Sequence, residues 1–324
     1  MNVELYEKLG TIGRGTYGTV YKANDRKSNK IVALKRIVMH PVQRKDEGFP
    51  ITSIRELSTL RRCSQHENVV QLHDVVVSQD NTFLVFEYCE NDLQSLLPVA
   101  NFNPSDLKRL SLQLLSAVRH LHQHWILHRD IKLPNILYSN NGALKLADFG
   151  LARKFSHDRN QVLTPGVQTL WYRAPEVLLG GCYTEAIDMW SVGCVLAELS
   201  NKSALIPAED AADALLRISK LLGSPNKRIW PEMQNLPLIA NGAVNFEDPR
   251  FKAFTFNELP EKLPNMSEEG ISLISGPLVY SPNRRMTARA ALGHEYFDIF
   301  PFPTAPNLMP TFKDRGFEVR RDMG

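Results

Sequence analysis

Three stretches of this sequence carry residue types and spacings suited to handling phosphate. The first is Gly13-Arg14-Gly15-Thr16-Tyr17-Gly18-Thr19-Val20. Glycines at 13, 15 and 18 let a backbone turn approach phosphate oxygens with no Cβ in the way. Taken alone the G-x-G-x-x-G pattern is weak, and a glycine-bearing hairpin explains it equally well. A dinucleotide fold needs a strand before such a loop and a helix after it. Strands are predicted on both sides of this one, which disfavours an oxidoreductase. The second stretch is Val32-Ala33-Leu34-Lys35, with Glu56 in the helix that follows. A lysine on a solvated strand face is commonplace. One hairpin after a glycine loop, a phosphate-binding lysine oriented by a carboxylate is the better reading. The third is His128-Arg129-Asp130-Ile131-Lys132-Leu133-Pro134-Asn135, followed by Asp148-Phe149-Gly150 and Ala174-Pro175-Glu176.

Positioning these groups falls to two kinds of element. Val3 to Ile12, Thr19 to Ala23, Ile31 to Ile37, Val69 to Val77 and Thr82 to Tyr88 are short and rich in β-branched and aromatic residues, so they read as strands. One helix interrupts them at about Ile51 to Arg62. Beyond residue 100 the period changes. Leu107, Leu110, Leu114, Val118 and Leu121 fall at helical spacing, with Asn103 as N-cap and Pro104 at the first helical position. Met189, Val192, Leu196 and Leu199 make a second apolar stripe, opened by Asp188. Proline and glycine punctuation between Pro225 and Pro264 predicts a loop-rich insertion. The expected class is α+β, a small β-rich N-terminal part with one key helix and a larger, mainly helical C-terminal part. Boundaries are expected at 1–88, 89–300 and a tail at 301–324.

Composition narrows the class. The chain has 324 residues, 43% hydrophobic and 23% charged, close to the globular average, which excludes disorder, collagen and coiled coil. A net charge of +3 is too weak to imply nucleic-acid binding. Cys63, Cys89, Cys182 and Cys194 show no C-x-x-C spacing, so neither a zinc site nor a disulfide framework is indicated. The first ten residues hold no secretory h-region, and no uncharged apolar run approaches membrane-spanning length. A soluble intracellular protein without a membrane partner is the expectation.

The order and spacing of these motifs resemble those of the eukaryotic protein kinases, across nearly the whole chain. The resemblance implies a bilobal kinase fold and transfer of the γ-phosphoryl of MgATP to a protein hydroxyl. Such transfer needs positioning and charge neutralisation more than covalent chemistry. By the match, Asn135 and Asp148 hold Mg²⁺ through hard oxygen ligands. Lys35, fixed by Glu56, holds the α and β phosphates. Asp130 accepts or orients the substrate hydroxyl proton, and Lys132 meets the transferring phosphate. Lys132 and Thr169 are features of Ser/Thr kinases rather than Tyr kinases. Gly13, Gly15 and Gly18 cover the nucleotide, and Ile12, Val20, Ala33 and Leu137 sandwich the adenine. Phe86 closes the back, the backbone of Glu87 and Cys89 bonds the base edge, and Asp92 completes the ATP site. Core packing is the competing reading for each apolar residue taken singly.

Pro50-Ile51-Thr52-Ser53-Ile54-Arg55-Glu56 resembles the helix signature of the cyclin-dependent kinases, most closely its PITSLRE variant. Leu170 to Glu176, Asp188 to Cys194, Leu222-Gly223-Ser224-Pro225 and Leu308-Met309-Pro310-Thr311-Phe312 agree with that family and its transcription- and cell-cycle-linked branch. The resemblance implies a cyclin partner on the Pro50–Arg62 helix, Ser/Thr-Pro substrates, an upstream activating kinase and a nuclear or cytoplasmic site of action, the nucleus favoured. It implies activating phosphorylation at Thr164, received by Arg55, Arg129 and Arg153, and inhibitory phosphorylation at Thr16 and Tyr17. Ala204 and Ala208 depart from the family pattern, as does the acidic stretch at Glu209 and Asp210. Two rivals do worse. A mitogen-activated kinase would carry a Thr-x-Tyr pair where Leu163-Thr164-Pro165-Gly166 stands. A pseudokinase scaffold would lack one of Lys35, Glu56, Asp130, Asn135 and Asp148, and all five are present.

Overall fold

The computed structural model describes residues 3–15, 18–37, 57, 59–78, 81–155 and 168–314. It forms two compact units. The first gathers residues 1–100, 134–152 and 305–324, and the second 101–133 and 153–304. The units interleave along the chain rather than dividing at residue 88. The strand pair that follows residue 135 belongs with the first unit, as does the segment 305–314.

The first unit is built on an antiparallel five-stranded sheet. Its strands are β1 (Tyr6–Gly15), β2 (Gly18–Asp25), β3 (Lys30–Ile37), β4 (Leu72–Val77) and β5 (Thr82–Glu87), in the order β1-β2-β3-β5-β4. The β2–β3 turn is set locally. Asp25 accepts from Lys27 N at 2.9 Å and from Ser28 Oγ at 2.6 Å, and Asn29 takes the left-handed conformation that closes the turn. Alternation on β3 sends Val32 and Leu34 into a core shared with Ala23, Val76, Phe83 and Val85. Central β5 is buried at every position from Thr82 to Phe86, which is why it reads as an unbroken apolar run.

The fourth strand is shorter than its apolar run. Val69 and Val70 leave the sheet to meet β9 (Ala143–Leu146), with Val70 N donating to Leu146 O at 3.0 Å and Leu146 N to Asn68 O at 2.8 Å. A second sheet orders β6 (Asn91–Asp92), β8 (Ile136–Ser139) and β9 as β6-β8-β9. Of the expected Ile51–Arg62 helix, residue 57 and residues 59–62 are helical, and the rest lies outside the described residues.

The second unit is helical. Asn103 caps the helix Pro104–Gln123 as its side chain predicts, accepting from Asp106 N at 3.0 Å while Asp106 returns a bond to Asn103 N at 3.1 Å. Leu110, Leu114, Val118 and Leu121 face inward, with Leu107 half-buried. The second apolar stripe needs correcting. The helix there runs from Ala186 to Asn201, so Asp188 lies inside it, and every residue from Ala186 to Leu199 is buried. It is a core helix enclosed all round, not one with a single apolar face. No helix among the described residues is long and apolar enough to cross a membrane.

Candidate active site

In the first unit the strands enclose a cavity of about 420 Å³. Ile12, Gly13, Gly18, Val20 and Ala33, from β1 to β3, line one wall, and Leu137 of β8 lines another. Phe86 and Glu87 end β5, Cys89 follows in the connection after it, and Asp92 lies in β6. Leu60, Val70, Tyr88, Pro134, Ala147 and Phe149 also line it, none of them assigned to the nucleotide site by the sequence. An apolar slot of this size with a few polar groups suits a flat heteroaromatic ligand.

The polar end is built by long-range pairing. Lys35 Nζ lies 3.0 Å from Asp148 Oδ1. Asp148 takes the left-handed backbone at φ 59°, a conformation a non-glycine residue holds only when its surroundings fix it. Ala147 N donates to Asn135 O at 2.9 Å, which ties the Asn135 turn to the segment carrying Asp148. Asn135 and Asp148 thus line one slot. Among the described residues no group of three or more His, Cys, Asp or Glu converges on a metal position. Two hard oxygen donors without a full protein cage fit a divalent cation that takes its remaining ligands from phosphate and water.

The slot's other polar groups are occupied in structural bonds. Glu87 accepts from Gln71 N at 2.7 Å and pairs with Lys145 at 3.0 Å, while Asp92 caps the short helix Leu93–Leu96 through Ser95 N at 2.8 Å. Burial, with the neighbouring Glu87 charge, pushes the Cys89 thiol up to about 12, so it contributes a neutral surface.

The second unit assembles the other expected group. Lys132 Nζ lies 2.9 Å from Asp130 Oδ2 and donates to Thr169 Oγ1 at 2.9 Å, and Thr169 Oγ1 donates to Asp130 Oδ1 at 3.0 Å. Residues 37 and 39 positions apart in sequence close one triangle around a carboxylate. The loop beneath it is held from behind by Asp188, which is fully buried. Its carboxylate accepts from His128 N and Arg129 N, each at 2.9 Å, and meets His122 Nε2 at 3.0 Å. These bonds hold Arg129 at φ 67°. The sequence reads Asp188 as a helix opener, and this anchoring role has no local signal.

Arg129 Nη1 donates to Tyr183 Oη at 2.7 Å, and Arg153 lies near the same hydroxyl. Pairing of β7 (Ile126–Leu127) with β10 (Arg153–Lys154) sets Arg153 opposite Leu127. Two of the three arginines expected to receive a phosphate therefore share one neighbourhood. The third, Arg55, lies outside the described residues, as do Glu56, Thr164, Thr16 and Tyr17. Farther along, Glu176 forms a two-point pair with Arg285 at 2.8 and 3.0 Å, both side chains buried. The acidic departure at Glu209 and Asp210 has a structural use. Asp210 caps the helix Ala211–Leu222 through Asp213 N at 2.8 Å, and Ala208 O accepts from the Trp171 indole at 2.9 Å.

Comparison with known proteins agrees with this arrangement. Residues 6–297 match the protein kinase domain family. The chain is 42% identical to cyclin-dependent kinase 11B of Mus musculus, over all of the chain and 40% of the relative. It is 43% identical to the serine/threonine-protein kinase PITSLRE of Drosophila melanogaster, over 96% of the chain and 33% of the relative. It is 44% identical to a Dictyostelium discoideum protein named Probable cyclin-dependent kinase 10, over 95% of the chain and 82% of the relative. The chain thus spans less than half the length of the mouse and fly proteins. A nucleotide-sized slot with a lysine–aspartate pair, an Asp-Lys-Thr triangle and these matches lead to one conclusion: the chain belongs to the protein kinase family, in its cyclin-dependent kinase branch.

Proposed function

We propose that the chain is the catalytic part of a cyclin-dependent, proline-directed serine/threonine kinase that uses MgATP. The triangle of Asp130, Lys132 and Thr169 supports this reading most directly, because it puts a carboxylate, an ammonium and a hydroxyl in mutual contact. Asp130 receives the proton of the acceptor hydroxyl as its oxygen bonds the γ-phosphorus and the bond to the leaving ADP oxygen breaks. Lys132 neutralises charge on the phosphoryl in transit. Lys35 holds the α and β phosphates, and Ile12, Val20, Ala33 and Leu137 grip the base. A bound Mg²⁺, held by Asn135 and Asp148, supplies charge neutralisation along the phosphates.

Regulation follows the same reading. Arg129 and Arg153, near one hydroxyl, support a phosphate receptor for Thr164, completed by Arg55. A cyclin gripping the Pro50–Arg62 helix would control the Glu56–Lys35 pairing, and an upstream kinase would modify Thr164. Phosphates on Thr16 and Tyr17 would put negative charge beside those of ATP and inhibit. Cell-cycle or transcriptional substrates and action in the nucleus belong to the same proposal.

The test is a radiometric assay of the purified chain with MgATP, with and without candidate cyclins, on peptide arrays bearing Ser or Thr before each residue type. Transfer selective for a following proline, raised by one cyclin and lost with Ile51→Asp and Ile54→Asp, is expected. Lys132→Met should lower kcat by about 10²–10³ while leaving the fold intact. Full activity without cyclin, no preference for proline, or wild-type turnover in Lys132→Met would refute the corresponding part.

A further inference from the structure

The segment 305–314 binds back onto elements that carry the nucleotide slot of its own unit, and its role is not explained by the chemistry above. It begins against the β8–β9 hairpin, where Gly142 at φ 82° accommodates it: a Cβ there would stand 2.0 Å from Pro306 O and 2.9 Å from Met309 Cβ. Tyr138 Oη donates to Pro310 O at 2.6 Å. Asn140 clasps Phe312 from both sides, Nδ2 donating to its O and Oδ1 accepting from its N, each at 2.8 Å. The Phe312 ring meets Tyr138 edge-on at 5.7 Å.

Two residues on, Asp314 accepts from Tyr88 Oη at 2.7 Å and pairs with Lys22 Nζ. The Lys22 ammonium also sits over the Tyr88 ring, 4.5 Å from its centroid. These attachments join three of the elements that carry the slot's lining. The hairpin carries Leu137, Tyr88 stands between Glu87 and Cys89, and Lys22 on β2 is paired in register with Ala33. The slot's lining elements are also joined by the Glu87–Lys145 and Lys35–Asp148 pairs, each at 3.0 Å.

We propose that residues 305–314 are a strap that fixes the width of the nucleotide slot, with Asp314 as a positioning residue for nucleotide binding. Asp314 touches no reacting atom. Through Lys22 and Tyr88 it holds the β2–β3 wall and the base-edge connection at one separation. This inference rests on the nucleotide reading of the slot.

The experiment measures ADP affinity by titration calorimetry, without turnover, in the full chain and in Asp314→Asn, Tyr88→Phe, their double variant and Phe312→Ala. ATP kinetics and thermal melts accompany it. Each single variant should bind ADP about three- to tenfold more weakly, the cost of one charge-assisted hydrogen bond or anchor. KM for ATP should rise by the same factor with kcat within about twofold. The double variant should lose no more than the worse single one, because both break one cluster. Equal ADP affinity in all five proteins, or lowered melting temperatures with affinity intact, would overturn the strap alone. Failure of the wild-type chain to bind ADP would overturn the nucleotide reading and this proposal with it.

Discussion

Replacing Asp188 by Asn tests whether the loop carrying Asp130 is held from behind by a single charge. The carboxylate gives one oxygen to His128 N and the other to Arg129 N at 2.9 Å, with His122 at 3.0 Å. Asn keeps one acceptor and turns the other into a donor, so a buried backbone N–H is left facing an NH₂. A hydrogen bond to a charged group is worth about 1.5–3 kcal/mol, and an unsatisfied buried donor costs about 1–3 kcal/mol. Arg129 in the left-handed region adds about 1–2 kcal/mol of strain that those bonds offset. The expected loss is about 3–4 kcal/mol in urea unfolding, or roughly 5 °C in melting temperature for a chain of 324 residues. Because Asp130 follows Arg129 directly, kcat should fall more than KM rises.

The pH dependence sharpens this test. Burial raises the Asp188 carboxyl, but the hydrogen bond and charge of His122, with the His128 charge and the Arg129 N–H, outweigh it. The group is held below its ordinary value near 3.8. A depressed native pKa contributes stability that is complete above the unfolded value and disappears as pH falls through the native one. The gap between wild type and Asp188→Asn should therefore be widest at neutral pH and close with acid below about pH 3.8. A loss under about 1 kcal/mol at neutral pH, or a gap that does not move with acid, would refute the anchoring role.

Two further expectations concern stability. Arg285→Met strands the buried Glu176 carboxylate and should cost about 3–5 kcal/mol, with part regained in Arg285→Met/Glu176→Gln; urea unfolding checks this, and a single-variant loss under about 1 kcal/mol would contradict it. Glu198 accepts from Tyr172 Oη at 2.6 Å, yet burial raises it above its ordinary value near 4.5 and that bond draws it only partly back. A raised native pKa gives stability that is complete below the unfolded value and lost as pH rises through the native one. Thermal melts of wild type should accordingly fall relative to Glu198→Gln from about pH 4.5 toward neutrality, and parallel curves would exclude the effect.

What the sequence alone determined about this protein is what short-range physics writes into it. Asn103 and Pro104 start a helix because their own side chains fit its first turn. The strands through Lys35 and Phe86 were legible from their alternation and β-branched character, and Asp130, Lys132, Asn135 and Asp148 from motif spacing. Val69 read as strand because its apolar run continues into β4, while its actual partner, Leu146, lies far along the chain. Only the tertiary structure decided what lies behind the motifs. Asp188 anchors a loop 59 positions away, Glu176 finds Arg285 at a separation of 109, and Asp314 returns to Tyr88 across 226. None of these partners leaves a periodic trace, because each bond depends on where two distant segments are brought by packing rather than on what either one prefers. A buried carboxylate looks the same in sequence whether it caps a helix, holds a loop or neutralises an arginine; the fold chooses among them through the donors it delivers within about 3 Å.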